Sequence, residues 1–162
     1  MIHIIVGNTG AGKTQYSKQL QRECKGVLFS IDEWNNTLFL PDKTQQDGLE
    51  WMLERIERIE QMIQNLLIQH KESNIETVLD LGFSKFIHRE KFRVFAKSNG
   101  IKYKLHYIDT PKEIRWERVL KRNKEQGETF QFIVKPEDFN FMESWFEVPN
   151  KEELKFAKII QE

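Results

Sequence analysis

The chain has 162 residues, 39% of them hydrophobic, and sets 25 Lys plus Arg against 25 Asp plus Glu for a formal net charge of zero. That length fits one domain with a substantial core and leaves nothing for a second, and balanced charge offers no global field for DNA, RNA or an anionic membrane. A single cysteine, Cys24, excludes an internal disulfide and any Cys-based zinc site; it reads as a small half-buried residue and suits a reducing cytosol.

Ile2 to Val6 is an apolar run that reads as a first strand. It lacks a charged flank and is too short for a signal peptide or a membrane span, so a soluble, cytoplasmic protein with no membrane partner is expected. Directly behind it, Gly7-Asn8-Thr9-Gly10-Ala11-Gly12-Lys13-Thr14 spells G-x-x-x-x-G-K-[ST] and leads into a helix over Lys13 to Cys24. This strand, loop, helix order is what phosphate binding needs: small residues let successive backbone N–H groups turn inward around a β-phosphate, and the helix points its positive end at it. Lys13 then reaches the β/γ oxygens and the Thr14 hydroxyl can ligate Mg²⁺.

Val27 to Ile31 reads as a buried second strand, and Asp47 as the cap of a long helix from about Gly48 to Lys71. Leu49, Leu53, Ile56, Ile59, Ile63, Leu66 and Leu67 recur along it at helical spacing as a stripe for core contact. Glu76 to Leu81 is a third strand, Ile87 to Ser98 a helix, Lys102 to Asp109 a fourth strand, and Lys112 to Lys124 and Pro136 to Trp145 helices. Leu154 to Ile160 closes the set as a fifth strand. Strands alternating with helices predict a parallel α/β sheet whose ligands sit at the carboxyl ends of the strands.

Polar groups fall at those ends. Asp80, in Val78-Leu79-Asp80-Leu81-Gly82, is costly to bury without a partner; either Mg²⁺ beside Thr14 or neighbouring backbone amides would satisfy it. Asp32 either caps the stretch from Glu33 or accepts a substrate hydroxyl proton. Arg118 and Arg122 share a helix face and either address phosphate or, with Arg115, form surface salt bridges to Glu113 and Glu117. Gln126-Gly127-Glu128-Thr129 reads as a mobile turn able to close as a lid. Between Lys85 and Lys104, seven cations face the one acid Glu90, as a greeting for an anionic acceptor or as a basic helix surface. Trp34, Phe39, Leu40, Trp51 and Phe83 read either as core or as the wall of an apolar acceptor cleft.

The order of these pieces resembles the small-molecule and polynucleotide branch of the P-loop kinases, the group of chloramphenicol phosphotransferase, zeta toxin and polynucleotide 5′-kinase, often labelled AAA-type ATP-binding proteins. The likeness runs along almost the whole chain: the loop Gly7 to Thr14, Asp32 after strand two, Asp80-x-Gly82, Arg118-x-x-x-Arg122, and an acidic-Pro-x-x-x-Glu region at Glu147, Pro149 and Glu153. It implies a three-layer, nucleoside-kinase-like P-loop NTPase fold with a five-stranded parallel sheet, as one P-loop kinase domain over 1–162 with a lid region at about 115–135. It further implies ATP and Mg²⁺ as cofactors, Asp32 as general base, Arg118 and Arg122 in the lid, and Val148 to Lys151, with Pro149, beside the adenine. Polynucleotide kinases carry Arg where this chain has Asn35. The expected activity is an ATP-dependent phosphotransferase with an alcohol group of a small molecule as acceptor and no nucleic-acid partner. The alternatives are a polynucleotide 5′-hydroxyl kinase or a nucleotide-driven switch; no N/T-K-x-D guanine motif is present.

Overall fold

The computed structural model describes residues 1–127, 130 and 132–161. Its strands are β1 (Ile2–Val6), β2 (Val27–Ser30), β3 (Thr77–Asp80), β4 (Tyr103–Asp109) and β5 (Lys158–Gln161), paired in the order β2-β3-β1-β4-β5 with every pairing parallel. The helices are α1 (Lys13–Cys24), α2 (Ile31–Leu38), α3 (Leu49–Glu72), α4 (Phe86–Ser98), α5 (Lys112–Glu125), α6 (Pro136–Trp145) and α7 (Lys151–Leu154).

β1 lies at the centre and all five of its residues are buried, which is why it reads as an unbroken apolar run. Its side chains alternate between two layers. Ile2, Ile4 and Val6 join Phe29, Leu79 and Leu105 under Ile59, Ile63 and Leu67 of α3 and Phe92 and Ala96 of α4. Ile5 faces the other way, with Val78, Ile108 and Leu20 of α1. Helices therefore cover both faces. Because Ile2 is level with Thr77 and Tyr103, and Ser30 with Asp80, the strands finish along one edge. The connection leaving β1 goes to the α1 face and the one leaving β3 to the α4 face, so the neighbouring ends of β1 and β3 flank a crevice.

Four local details differ from the sequence reading. β2 stops at Ser30, whose hydroxyl accepts from Glu33 N at 3.5 Å and caps α2, so Asp32 is not the cap but lies in the first turn. Asp47 does not cap α3 either: its carboxylate accepts from Thr44 N and Oγ1 at 2.7 and 2.8 Å, closing its own turn, and Gly48 stands at the cap. Leu49 and Leu53 are 63% and 50% exposed, so the apolar stripe of α3 meets the core only from about Ile56 onward. The expected fifth strand begins four residues later, because Asn150 and Glu153 form a reciprocal capping box that starts α7.

Candidate active site

Local backbone geometry builds the loop. Ala11 N donates to Asn8 O at 3.0 Å, and Gly10 and Gly12 take φ of +80° and +100°, values that side chains with a Cβ resist. At Gly10 an added Cβ would sit 2.5 Å from the Arg115 carbonyl oxygen, so α5 and the loop touch backbone to backbone only because residue 10 is glycine. Gly12 caps α1 without a side-chain bond, and the first turn holds no acid. The first N–H groups of α1 thus keep their capacity for an anion, with the positive end of the helix behind them.

Lys13, Asp80, Asp32 and Arg122 form one electrostatic set around that helix end. The Lys13 ammonium, which also donates to Asn8 O at 3.3 Å, is pulled below its ordinary pKa by desolvation, partly offset by Asp80 and then Asp32. Asp80, 7% exposed, is pushed up to about 6 by burial, with Lys13 opposing and Asp32 adding to the rise. The Ser17 and Thr14 hydroxyls lie close enough to lower it further, yet Ser17 Oγ, fully buried, makes no hydrogen bond of good geometry. A buried carboxylate, a threonine hydroxyl and an orphaned serine oxygen are a hard-oxygen donor set of the kind Mg²⁺ takes. Asp32 is exposed at the start of α2, open to an incoming molecule.

The arginines of α5 divide. Arg122 is desolvated, which lowers its pKa against the pull of Asp32, and its Nε is buried without a hydrogen-bond partner. Arg118 donates to Ala11 O at 3.3 Å, beside the loop. Arg115 turns away from solvent and from Glu113 and Glu117 alike: its guanidinium grips Glu143 of α6 at 2.6 and 3.0 Å and donates to Thr110 O and Thr9 O. Asn8 Nδ2 donates to the same Glu143 at 2.6 Å. Glu143 therefore staples α6 to the loop and to α5, a role with no signal in a sequence where it lies 135 positions from Asn8. Ser17, three positions beyond Thr14 on the same helix, was findable from spacing.

Other expected groups are held by contacts elsewhere in the fold. Pro149 is buried in a stretch fastened to α4: Glu147 accepts from Phe86 N at 2.7 Å and pairs with Lys85, and Glu153 pairs with Arg89 with both side chains fully buried. Among the described residues no hydrogen bond joins Val148 to Lys151 with the Gly7 to Thr14 loop. Most of the basic stretch is paired within the fold, Lys91 with Glu57 and Glu60 and Arg93 with Glu90. Phe83 is core, Trp34 and Phe39 pack against that core, and Trp51 lies under Arg55. Of the expected mobile turn, Glu128 and Thr129 lie outside the described residues.

Residues 2–149 match the AAA domain family. No curated protein matches the chain in sequence. Among solved structures, a protein of Chloroflexus aurantiacus j-10-fl provisionally assigned as a kinase superposes with a TM-score of 0.74 at 15% identity, covering 99% of this chain and 86% of its own. APS kinase of Mycobacterium tuberculosis, solved with AMPPNP and APS, gives 0.62 at 15% identity over 99% and 87%. A chain of the Pnkp1/Rnl/Hen1 RNA repair complex gives 0.64 at 17% identity over 90% of this chain and 46% of its own. Identities this low carry the fold, which is that of P-loop nucleotide-binding kinases. With the loop seated at the carboxyl end of a central parallel strand and the match running over residues 2–149, the chain belongs to the AAA domain family.

Proposed function

We propose that this chain is an ATP- and Mg²⁺-dependent phosphotransferase that moves the γ-phosphoryl group of ATP onto a hydroxyl of a small acceptor. The observation that carries the reading is the convergence of Lys13, Asp80, Asp32 and Arg122 around an uncapped helix N-terminus. Phosphoryl transfer is mostly positioning and charge neutralisation, and this set contains the parts for both. The amides of Gly7 to Thr14 would hold the β-phosphate and Lys13 the β/γ oxygens, with Arg118 and Arg122 facing the migrating group. Thr14 and Asp80 would hold Mg²⁺, which when bound neutralises charge between the β- and γ-phosphates. Asp32 would take the acceptor hydroxyl proton as that oxygen bonds to the γ-phosphorus and the bond to the β–γ bridging oxygen breaks, leaving ADP.

Three features favour a small acceptor over a nucleic acid. The net charge is zero, which leaves little counterion release to drive polynucleotide binding. Four cations of the basic stretch, Lys85, Arg89, Lys91 and Arg93, are held in ion pairs. Asn35 stands where the resembling polynucleotide enzymes carry Arg, and its Oδ1 is buried without a hydrogen-bond partner. The fold shared with the RNA repair chain makes the 5′-hydroxyl oligonucleotide the control that matters. The test is ADP release with Mg·ATP alone, with pooled alcohols, sugars and nucleosides, and with 5′-hydroxyl oligonucleotides. Release dependent on a small-molecule pool is expected; equal release without acceptor would make the protein a switch, and release dependent on oligonucleotide a polynucleotide kinase.

A further inference from the structure

At the edge of the sheet opposite the phosphate loop, three donors of different chemistry converge. His3 on β1, Cys24 at the end of α1 and Glu76 just ahead of β3 each present a ligand atom, all within 4.8 Å of one another. His3 is 5% exposed and the other two are half-buried, with His3 Nε2 already 2.8 Å from Glu76 Oε2. The remaining ring nitrogen of His3 is fixed from behind: Nδ1 lies 3.0 Å from His106 Nε2, and His106 Nδ1 lies 2.8 Å from the Tyr16 hydroxyl. A hydrogen-bonded partner on the far nitrogen is the arrangement that orients metal-binding histidines. Glycine at position 26 keeps the corner open, since a Cβ there would stand 3.0 Å from Cys24 Sγ and 2.3 Å from Glu76 O.

We propose that His3 Nε2, Cys24 Sγ and a Glu76 carboxylate oxygen form a site for one divalent cation of the zinc class, with a fourth position open to solvent. A mixed N, S, O set suits zinc and its neighbours, whereas a thiolate is a poor ligand for Mg²⁺. Zinc bonds of about 2.0–2.3 Å set tetrahedral ligand atoms roughly 3.3–3.7 Å apart, so His3 Nε2 and Glu76 Oε2, now 2.8 Å apart, would open slightly to admit the ion between them and the Cys24 sulfur. Binding displaces the Cys24 thiol proton to solvent. The His3 ring proton moves from Nε2 to Nδ1, the His106 proton from Nε2 to Nδ1, and Tyr16 turns from donor to acceptor, so one proton is released in all. The expectation that one cysteine excludes such a site counts ligands along the sequence; the fold brings the other two from β1 and the approach to β3. The cation would pin the far end of α1, the helix whose near end is the phosphate loop.

The test is titration of EDTA-treated protein with Co²⁺ in excess Mg²⁺ and without nucleotide. One equivalent is expected to give a near-ultraviolet thiolate-to-cobalt charge-transfer band, to release one proton, and to be displaced by Zn²⁺. Cys24→Ser is expected to abolish the band and to weaken Zn²⁺ binding roughly 10-fold or more, while keeping the wild-type response to Mg·ATP as its check of folding. Asp80→Asn is expected to keep the band. No band in the wild type, a band that survives Cys24→Ser, or Zn²⁺ binding lost in Asp80→Asn and kept in Cys24→Ser would overturn the proposal.

Discussion

Asp80 is the residue whose energetics the site shapes most. In nucleotide-free protein the fold raises it from 3.8 to about 6, chiefly by burial. The folded state then holds a proton that the unfolded chain releases between those values, so stability falls as pH rises through the window, and above it the ionised group costs about 3 kcal/mol at roughly 1.4 kcal/mol per pKa unit. Asp80→Asn is therefore expected to raise the melting temperature of nucleotide-free protein at pH 7.5, to change it little near pH 4, and to weaken Mg·ATP binding. Thermal melts across pH check all three, and a variant that melts lower at pH 7.5 would contradict the account. Asp32→Asn separates from it: Mg·ATP affinity is retained and turnover drops by roughly 10²–10⁴, as shown by isothermal titration beside steady-state rates. Lys13→Ala is expected to erase the Mg·ATP-induced rise in melting temperature while leaving the unliganded fold intact. The positions of these residues were legible because each stands at a strand end that the chain marks with its own apolar run. Glu143 was not, since only the folded contact with Arg115 and Asn8 gives it a function.

At the scale of elements, ion pairs decide how α4, α7 and α6 are seated. Arg89 and Glu153 are both fully buried, with two bonds at 2.7 and 3.1 Å, and Glu153 also caps α7. Removing one partner strands the other charge, so Glu153→Ala is expected to cost about 3–5 kcal/mol, a large part of the roughly 5–15 kcal/mol that holds a domain together. Urea denaturation measures it; a loss below about 1 kcal/mol would mean that Arg89 finds water or another partner. Element ends were readable where a residue forces them. Pro136 opens α6 at the predicted position and Gly12 precedes α1. They were misread where two local signals competed: Asp47 could cap a helix or close the Thr44 turn, and the Asn150 to Glu153 box lay next to an apolar stretch that resembles a strand.

At the scale of the molecule, the strand order and the crevice between β1 and β3 follow from alternation of strands and helices, which periodicity reveals. Local charge does not follow that way. Within the basic stretch from Lys85 to Lys104, Lys85, Arg89 and Lys91 meet Glu147, Glu153, Glu57 and Glu60, all distant in sequence, and only folding makes these pairs. Around the loop stand Lys13, Arg118 and Arg122, together with Arg115, which Glu143 engages. Transfer to a small hydroxyl is tested by following the phosphorus itself. Protein incubated with γ-labelled ATP, Mg²⁺ and the responding acceptor pool is expected to place label on one small molecule as an alkali-stable phosphate ester, with Asp32→Asn leaving the label on ATP. Label recovered as free phosphate, or on a 5′-hydroxyl oligonucleotide in preference to every small acceptor, would contradict it.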